Sequence, residues 1–218
     1  MPRSLRTKYR TSSPVIPPDM AAKARFDEAL QKIPGRIFEE TCHRIVSLQA
    51  YEAANPKRLL YDLGPKLSAG GQRFSPPGDH AGLYVAVERL TAGAEFTGSV
   101  EQWNQSGGGT TVVFKVDVKL GRVLDLTDPS ILKALGLTPA AVQSAWEGYH
   151  ALFGTEPLTW ILGRAVFASS RFDGILFPSK KNSPAGRCLL VFTERLAKGT
   201  AEVVLFTDDG SVRERLPA

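Results

Sequence analysis

Apolar residues recur at the three-to-four spacing of a helix face in two stretches, and alternate or cluster at strand length in most others. Over 21–33, Phe26, Leu30 and Ile33 share one face and Pro34-Gly35 ends the run, which predicts a helix. Over 157–170, Leu158, Ile161, Leu162, Ala165 and Val166 predict another. A short helix is expected over 90–96. Two more follow Asp128-Pro129 and Thr138-Pro139, each an N-cap with proline at the first helical position, ending near Gly136 and Gly154. Strands are expected over 43–48, 83–87, 110–118, 122–126, 174–177 and 187–192. A hairpin is expected where 203–207 leads through Asp209-Gly210 to Val212. Residues 106–109 read as a turn. The stretch 63–82 holds five glycines and three prolines, and reads as a long irregular loop of the kind compact domains keep for function. Strands that are partly hairpin-joined and partly helix-separated argue for an α+β fold: one domain, mixed and mainly antiparallel sheets, flanking helices.

The length of 218 residues, with 43% hydrophobic and 22% charged residues, suits one packed domain and excludes wholesale disorder or a disulfide-stapled miniprotein. The formal charge of +5 matters through its placement: Arg3, Arg6, Lys8, Arg10, Lys23 and Arg25 against Asp19 carry the whole excess, and the remainder is neutral. Residues 1–20 are polar and basic and contain Pro2, Pro14, Pro17 and Pro18, so they are expected to form a flexible arm before a domain over 21–218. A pI near 9.3 therefore describes an arm, and direct nucleic-acid binding by the domain is not expected. The longest apolar runs, 83–87 and 188–192, are five residues each, far short of the ~18–20 that cross a bilayer. No apolar stretch follows the basic start, as a signal peptide requires. Cys42 and Cys188 stand outside any C-x-x-C and read as small core residues, which fits a reducing cytoplasm.

No P-loop, dinucleotide-binding glycine fingerprint or nucleophile elbow is present. His43, His80 and His150 are too scattered to suggest a metal site and read as surface or satisfied core residues. Gly107–Gly109 lacks a following lysine and reads as a turn rather than a phosphate loop.

Several segments, taken in order, resemble the RES domain family. They are His43-Arg44-Ile45-Val46, Gly71-Gln72-Arg73-Phe74-Ser75-Pro76-Pro77-Gly78, Leu83-Tyr84-Val85-Ala86, Thr91-Ala92-Gly93-Ala94-Glu95-Phe96 and Gly174-Ile175-Leu176-Phe177-Pro178-Ser179. Val123-Leu124-Asp125-Leu126-Thr127-Asp128 and Gly186-Arg187-Cys188-Leu189-Leu190-Val191-Phe192 add to the likeness, which spans roughly 36–193. The second motif departs from the family's Gly-Gly-Arg-Trp/Phe-Asn at Gln72 and Ser75, and keeps the arginine. The resemblance implies a bacterial toxin of a toxin–antitoxin pair, with a fold similar to ADP-ribosylating toxins. It implies NAD as substrate, cleaved by hydrolysis or phosphorolysis without a further cofactor or metal, and an Xre-class helix-turn-helix antitoxin as partner. Two other readings remain at this stage: a mono-ADP-ribosyltransferase acting on a protein, and a nucleic-acid-binding protein acting through the basic arm.

The residue types suit that chemistry. An arginine offers a planar, always-charged fork to pyrophosphate oxygens, a role open to Arg44 and Arg73. Breaking the nicotinamide–ribose bond passes through an oxocarbenium-like state that a carboxylate can stabilise, and Glu95 is assigned that role. Nicotinamide leaves as a neutral pyridine, so no second carboxyl need supply a proton. Tyr84 is assigned to stacking on or positioning the nicotinamide riboside, and Ser179 to hydrogen bonding rather than nucleophilic attack. Lys180 and Lys181 read as a solvated basic pair.

Overall fold

The structure, a computed structural model, describes residues 20–63, 70–106, 110–144, 146, 152–153, 156–197, 199–206 and 210–217. Residues 1–19 of the expected arm, 107–109 of the expected turn, His150, the expected helix end at Gly154 and Asp209 of the hairpin turn lie outside them, while Met20 already belongs to the first helix.

Helix α1 (Met20–Lys32) buries Phe26 and Leu30, and Ile33 just after it is buried too, the face expected from their spacing, with Ala22 added to it. Burying each of the Phe26, Leu30 and Ile33 side chains contributes ~1.5–3 kcal/mol. Strand β1 (Arg36–Ser47) begins well before the expected start, and Ser47 then caps α2 (Leu48–Ala53) by accepting from the Ala50 N–H. After α3 (Leu59–Leu63) come β2 (Leu83–Ala86), α4 (Arg89–Thr97) and α5 (Val100–Ser106). The two strands expected over 110–118 and 122–126 are one 15-residue strand, β3 (Thr111–Asp125), continuous through Gly121. Asp128 and Thr138 cap α6 (Pro129–Ala134) and α7 (Pro139–Val142) as expected, accepting from the Ser130 and Ala141 N–H groups. Helix α8 (Leu158–Ser169) is followed by β4 (Gly174–Pro178), β5 (Arg187–Val191), and the hairpin β6 (Glu202–Phe206) and β7 (Val212–Leu216).

The strands order as β1-β2-β5-β4-β3-β6-β7, and β1 also pairs with β3, so the pairing returns on itself through β1-β2-β5-β4-β3. All pairs are antiparallel except β3–β4. This is the α+β, mainly antiparallel architecture expected. The β1–β3 ladder is long, whereas β1 meets β2 at the single bridge His43↔Ala86, so the ring is weakly closed there.

The core has two parts, separated by strand alternation. Cys42, Val46, Leu83, Val85, Phe114, Val116, Leu176, Leu189 and Val191 fill the space inside the strands. Ala86, Ile175, Phe177, Cys188, Leu190 and Phe192 face outward, under α1 and α8. Strands buried on both faces read as continuous apolar runs, which is why 83–87 and 188–192 lack a polar alternation.

Candidate active site

Pairing in register carries a row of residues across one sheet face. His43 opposes Ala86, Ala86 opposes Cys188, and Cys188 opposes Phe177. Above it lies α4, and Glu95 on that helix approaches Cys188, whose thiol donates to Oε1 at 3.8 Å. Burial, then the Glu95 charge, hold the Cys188 thiol well above its ordinary range, so it is a neutral wall of the site rather than a thiolate.

The firmest contact is between Ser179 and Glu95. The Ser179 hydroxyl donates to Glu95 Oε1 at 2.6 Å and accepts from the backbone N–H groups of Lys181 and Asn182, both at 3.1 Å. Ser179 is buried, and its carbonyl accepts from the Gln143 side chain at 3.1 Å, so the hydroxyl is fixed from below. Glu95 itself is exposed. A carboxylate anchored by one oxygen and open to solvent has the other free to face a ligand. Lys180 and Lys181 are exposed, as expected.

The Arg73 loop is a rigid turn. Gln72 and Ser75 exchange backbone hydrogen bonds, and Gly71 turns the chain at φ +72°, a conformation open to glycine. The buried Phe74 ring packs edge-on against Phe177, and the Trp160 indole N–H donates to the Gln72 carbonyl at 2.8 Å. Gly163 on α8 lets that helix touch the loop, since a Cβ there would lie 1.8 Å from the Phe74 carbonyl oxygen. Arg73 donates through Nη1 to the carbonyls of Val142 and Ser144, at 3.0 and 2.9 Å, and its charge bears on both Tyr84 and Cys188.

Tyr84 serves this loop. Its hydroxyl accepts from the Phe74 N–H at 3.0 Å and lies 3.1 Å from Ser75 Oγ, the residue that departs from the family pattern. Burial pushes its pKa up to about 12, so it stays protonated. Arg44 takes a different position. It lies on β1 with Cys42 and Val46 on either side, its Nη1 donates to the Tyr84 carbonyl at 2.6 Å, and its buried Nε has no partner among the described residues. Burial lowers its pKa to about 10, still charged at neutral pH. The structure thus joins Glu95 to Ser179, and Arg44, Arg73 and Tyr84 to one another through β2 and the loop.

A second network was not legible in the sequence. Arg187 forks onto both Glu40 oxygens at 3.1 and 3.0 Å and donates from Nε to Glu88 at 2.9 Å. Glu88 also accepts from the Arg187 N–H and from Thr91, which in turn accepts from Asn182. The network ties the 179–187 turn to the start of α4, and so sets where Glu95 sits. Only the position of Glu88 just before a predicted helix hinted at it. His80 departs from expectation too. It is a core residue, stacked on Phe167 at 4.6 Å, but neither ring nitrogen has a hydrogen-bond partner among the described residues, and Asp79 stands 3.6 Å from Nδ1.

The chain belongs to the RES domain family, which matches it over residues 41–213 and so reaches past the likeness in the motifs to include the last hairpin. A chain in the crystal structure of the M. tuberculosis MbcT–MbcA toxin–antitoxin complex is similar in fold, with 19% identity and a TM-score of 0.50 over 91% of this chain and 92% of that one. No curated protein matches. Among the described residues no helix is long and apolar enough to cross a membrane.

Proposed function

We propose that this protein is a toxin-like enzyme that cleaves the nicotinamide–ribose bond of NAD. The carrying observation is the 2.6 Å contact between Ser179 and Glu95, residues 84 positions apart that meet with the carboxylate still open to solvent. In this reading the bond from ribose C1′ to the pyridinium nitrogen breaks with its electron pair going to nicotinamide, which leaves neutral. Glu95 stabilises the cationic ribose, and water or phosphate then bonds to C1′, the proton of a water acceptor passing to solvent. Arg73, on a loop fixed at both sides, offers its guanidinium to the pyrophosphate, whereas Arg44, expected to share that role, lies inside the strands among Leu59, Leu83 and Phe114 and acts instead by holding β2 through the Tyr84 carbonyl. Tyr84 and Ser179 act by position: Tyr84 shapes the Arg73 loop and the wall for the nicotinamide riboside, and Ser179 aims Glu95. NAD is substrate, and no further cofactor is invoked.

Membership of the RES family and the likeness to a chain from a toxin–antitoxin complex support a toxin role and an antitoxin partner. A helix-turn-helix antitoxin of the Xre class, in the cytoplasm, is the partner we propose. The test is NAD turnover with and without inorganic phosphate, products identified by mass. Nicotinamide with ADP-ribose marks a hydrolase, ADP-ribose 1″-phosphate a phosphorylase, and label on protein a transferase. Full turnover by a folded Glu95→Gln variant, or no nicotinamide release by the wild type, overturns the reading.

A further inference from the structure

Among the described residues, the outer face of the β1–β3 ladder carries three basic side chains around one carboxylate, that of Asp117. His43 and Lys115 oppose each other across the two strands, and both line a groove of about 720 Å3 with Arg89 from the first turn of α4, Thr41, Val113, Asp117 and Phe206. Among the described residues neither Arg89 nor Lys115 has an ion pair and the buried His43 Nδ1 has no hydrogen-bond partner. Asp117 is the acid in the groove, and one of its oxygens accepts from Thr41 Oγ1 at 2.6 Å. Glu88, the acid nearest in sequence to Arg89, is held by Arg187 and Thr91.

The unpartnered buried nitrogen carries a desolvation cost, and two exposed cations stand beside the imidazole. Burial first, and then the Arg89 and Lys115 charges, lower the His43 pKa, so the imidazole already feels both neighbours. An anion with several acceptor oxygens would find donors in the Arg89 fork, the Lys115 ammonium and the imidazole N–H. Phosphate suits this better than a single carboxylate, because it presents oxygens in three directions. Phe206 at the rim adds an aromatic surface beside the cations, and the volume accommodates a mononucleotide.

We propose that the groove lined by His43, Arg89, Lys115 and Phe206 binds a phosphate-bearing small molecule, its phosphate on the three basic groups. None of these residues makes the Glu95–Ser179 contact or lies on the Arg73 loop, but His43 shares the strand row with Cys188 and Arg89 shares α4 with Glu95, so the groove adjoins the proposed active site and is tested by binding rather than by turnover.

The experiment titrates inorganic phosphate, AMP and adenosine into the full chain at constant ionic strength, read by calorimetry and by the NMR signal of His43, in the wild type and in Arg89→Ala/Lys115→Ala. Phosphate and AMP are expected to bind, adenosine not, with affinity in the double variant reduced on the order of tenfold or more. AMP tighter than phosphate, with the margin lost in Phe206→Ala, identifies a nucleotide as the source; equal affinities identify free phosphate. The double variant, with two surface cations removed, is expected to fold. Absence of phosphate binding at 10 mM or so, far above ordinary working affinities, or binding unchanged in the folded double variant, overturns the proposal.

Discussion

The Ser179 hydroxyl donates to Glu95 while accepting two backbone N–H groups, so its single proton is committed to the carboxylate. A serine held in this way cannot also be a nucleophile. It aims an exposed carboxylate from a buried base, which makes the 179–187 turn part of the geometry of the proposed site.

Replacing Ser179 with alanine is therefore expected to lower kcat for NAD cleavage by ~10–100-fold, about what one charge-assisted hydrogen bond supplies, with KM little changed. Ser179→Thr, which keeps the hydroxyl, should recover part of the loss. Steady-state kinetics on folded variants check this. A Ser179→Ala enzyme with wild-type kcat removes Ser179 from the site.

The Arg187 network predicts a stability effect with a specific chemistry. Arg187→Ala leaves Glu40 and Glu88 facing each other without their shared cation, in a region only about one-third exposed. A loss of ~1–3 kcal/mol is expected in urea denaturation, between the values for exposed and buried pairs. Arg187→Lys should restore less than half, because an ammonium cannot span two carboxylates.

Gly163→Ala probes the approach of α8 to the Arg73 loop. The new methyl would lie 1.8 Å from the Phe74 carbonyl oxygen, which is backbone and cannot swing aside. Destabilisation of ~1–3 kcal/mol is expected from overpacking, with NAD affinity reduced as Arg73 shifts. Thermal unfolding and KM together report it.

His80 makes acid stability testable. Burial is the largest influence on it and lowers its pKa from 6.5, against the opposing pull of Asp79. The unfolded chain then takes up a proton more readily than the native one, so stability is complete above pH ~6.5 and falls as pH drops toward the folded value. His80→Phe keeps the stack on Phe167 and should flatten this slope. Urea midpoints at pH 7 and pH 5, compared for both proteins, measure it; equal slopes contradict the assignment.

The elements that local chemistry decides were readable from the chain alone. The apolar spacing of Phe26 and Leu30, the caps at Asp128 and Thr138, and the doubly apolar strands 83–87 and 188–192 each carry their own signal, because propensity, capping and burial act within a few residues. So does the ordered set of RES motifs, which named Glu95 and Ser179 before their contact was visible. Where the chain was misread, distant partners had decided. The full length of β1 and the continuity of β3 through Gly121 come from the ladder between them, since neither strand is apolar enough alone to announce its ends. Arg187, Glu40 and Glu88 converge from positions 99 and 147 residues apart, and His43 meets Lys115 only through strand register. Side-chain pairing across such separations depends on which strands become neighbours, and that choice is made by the packing of the whole domain.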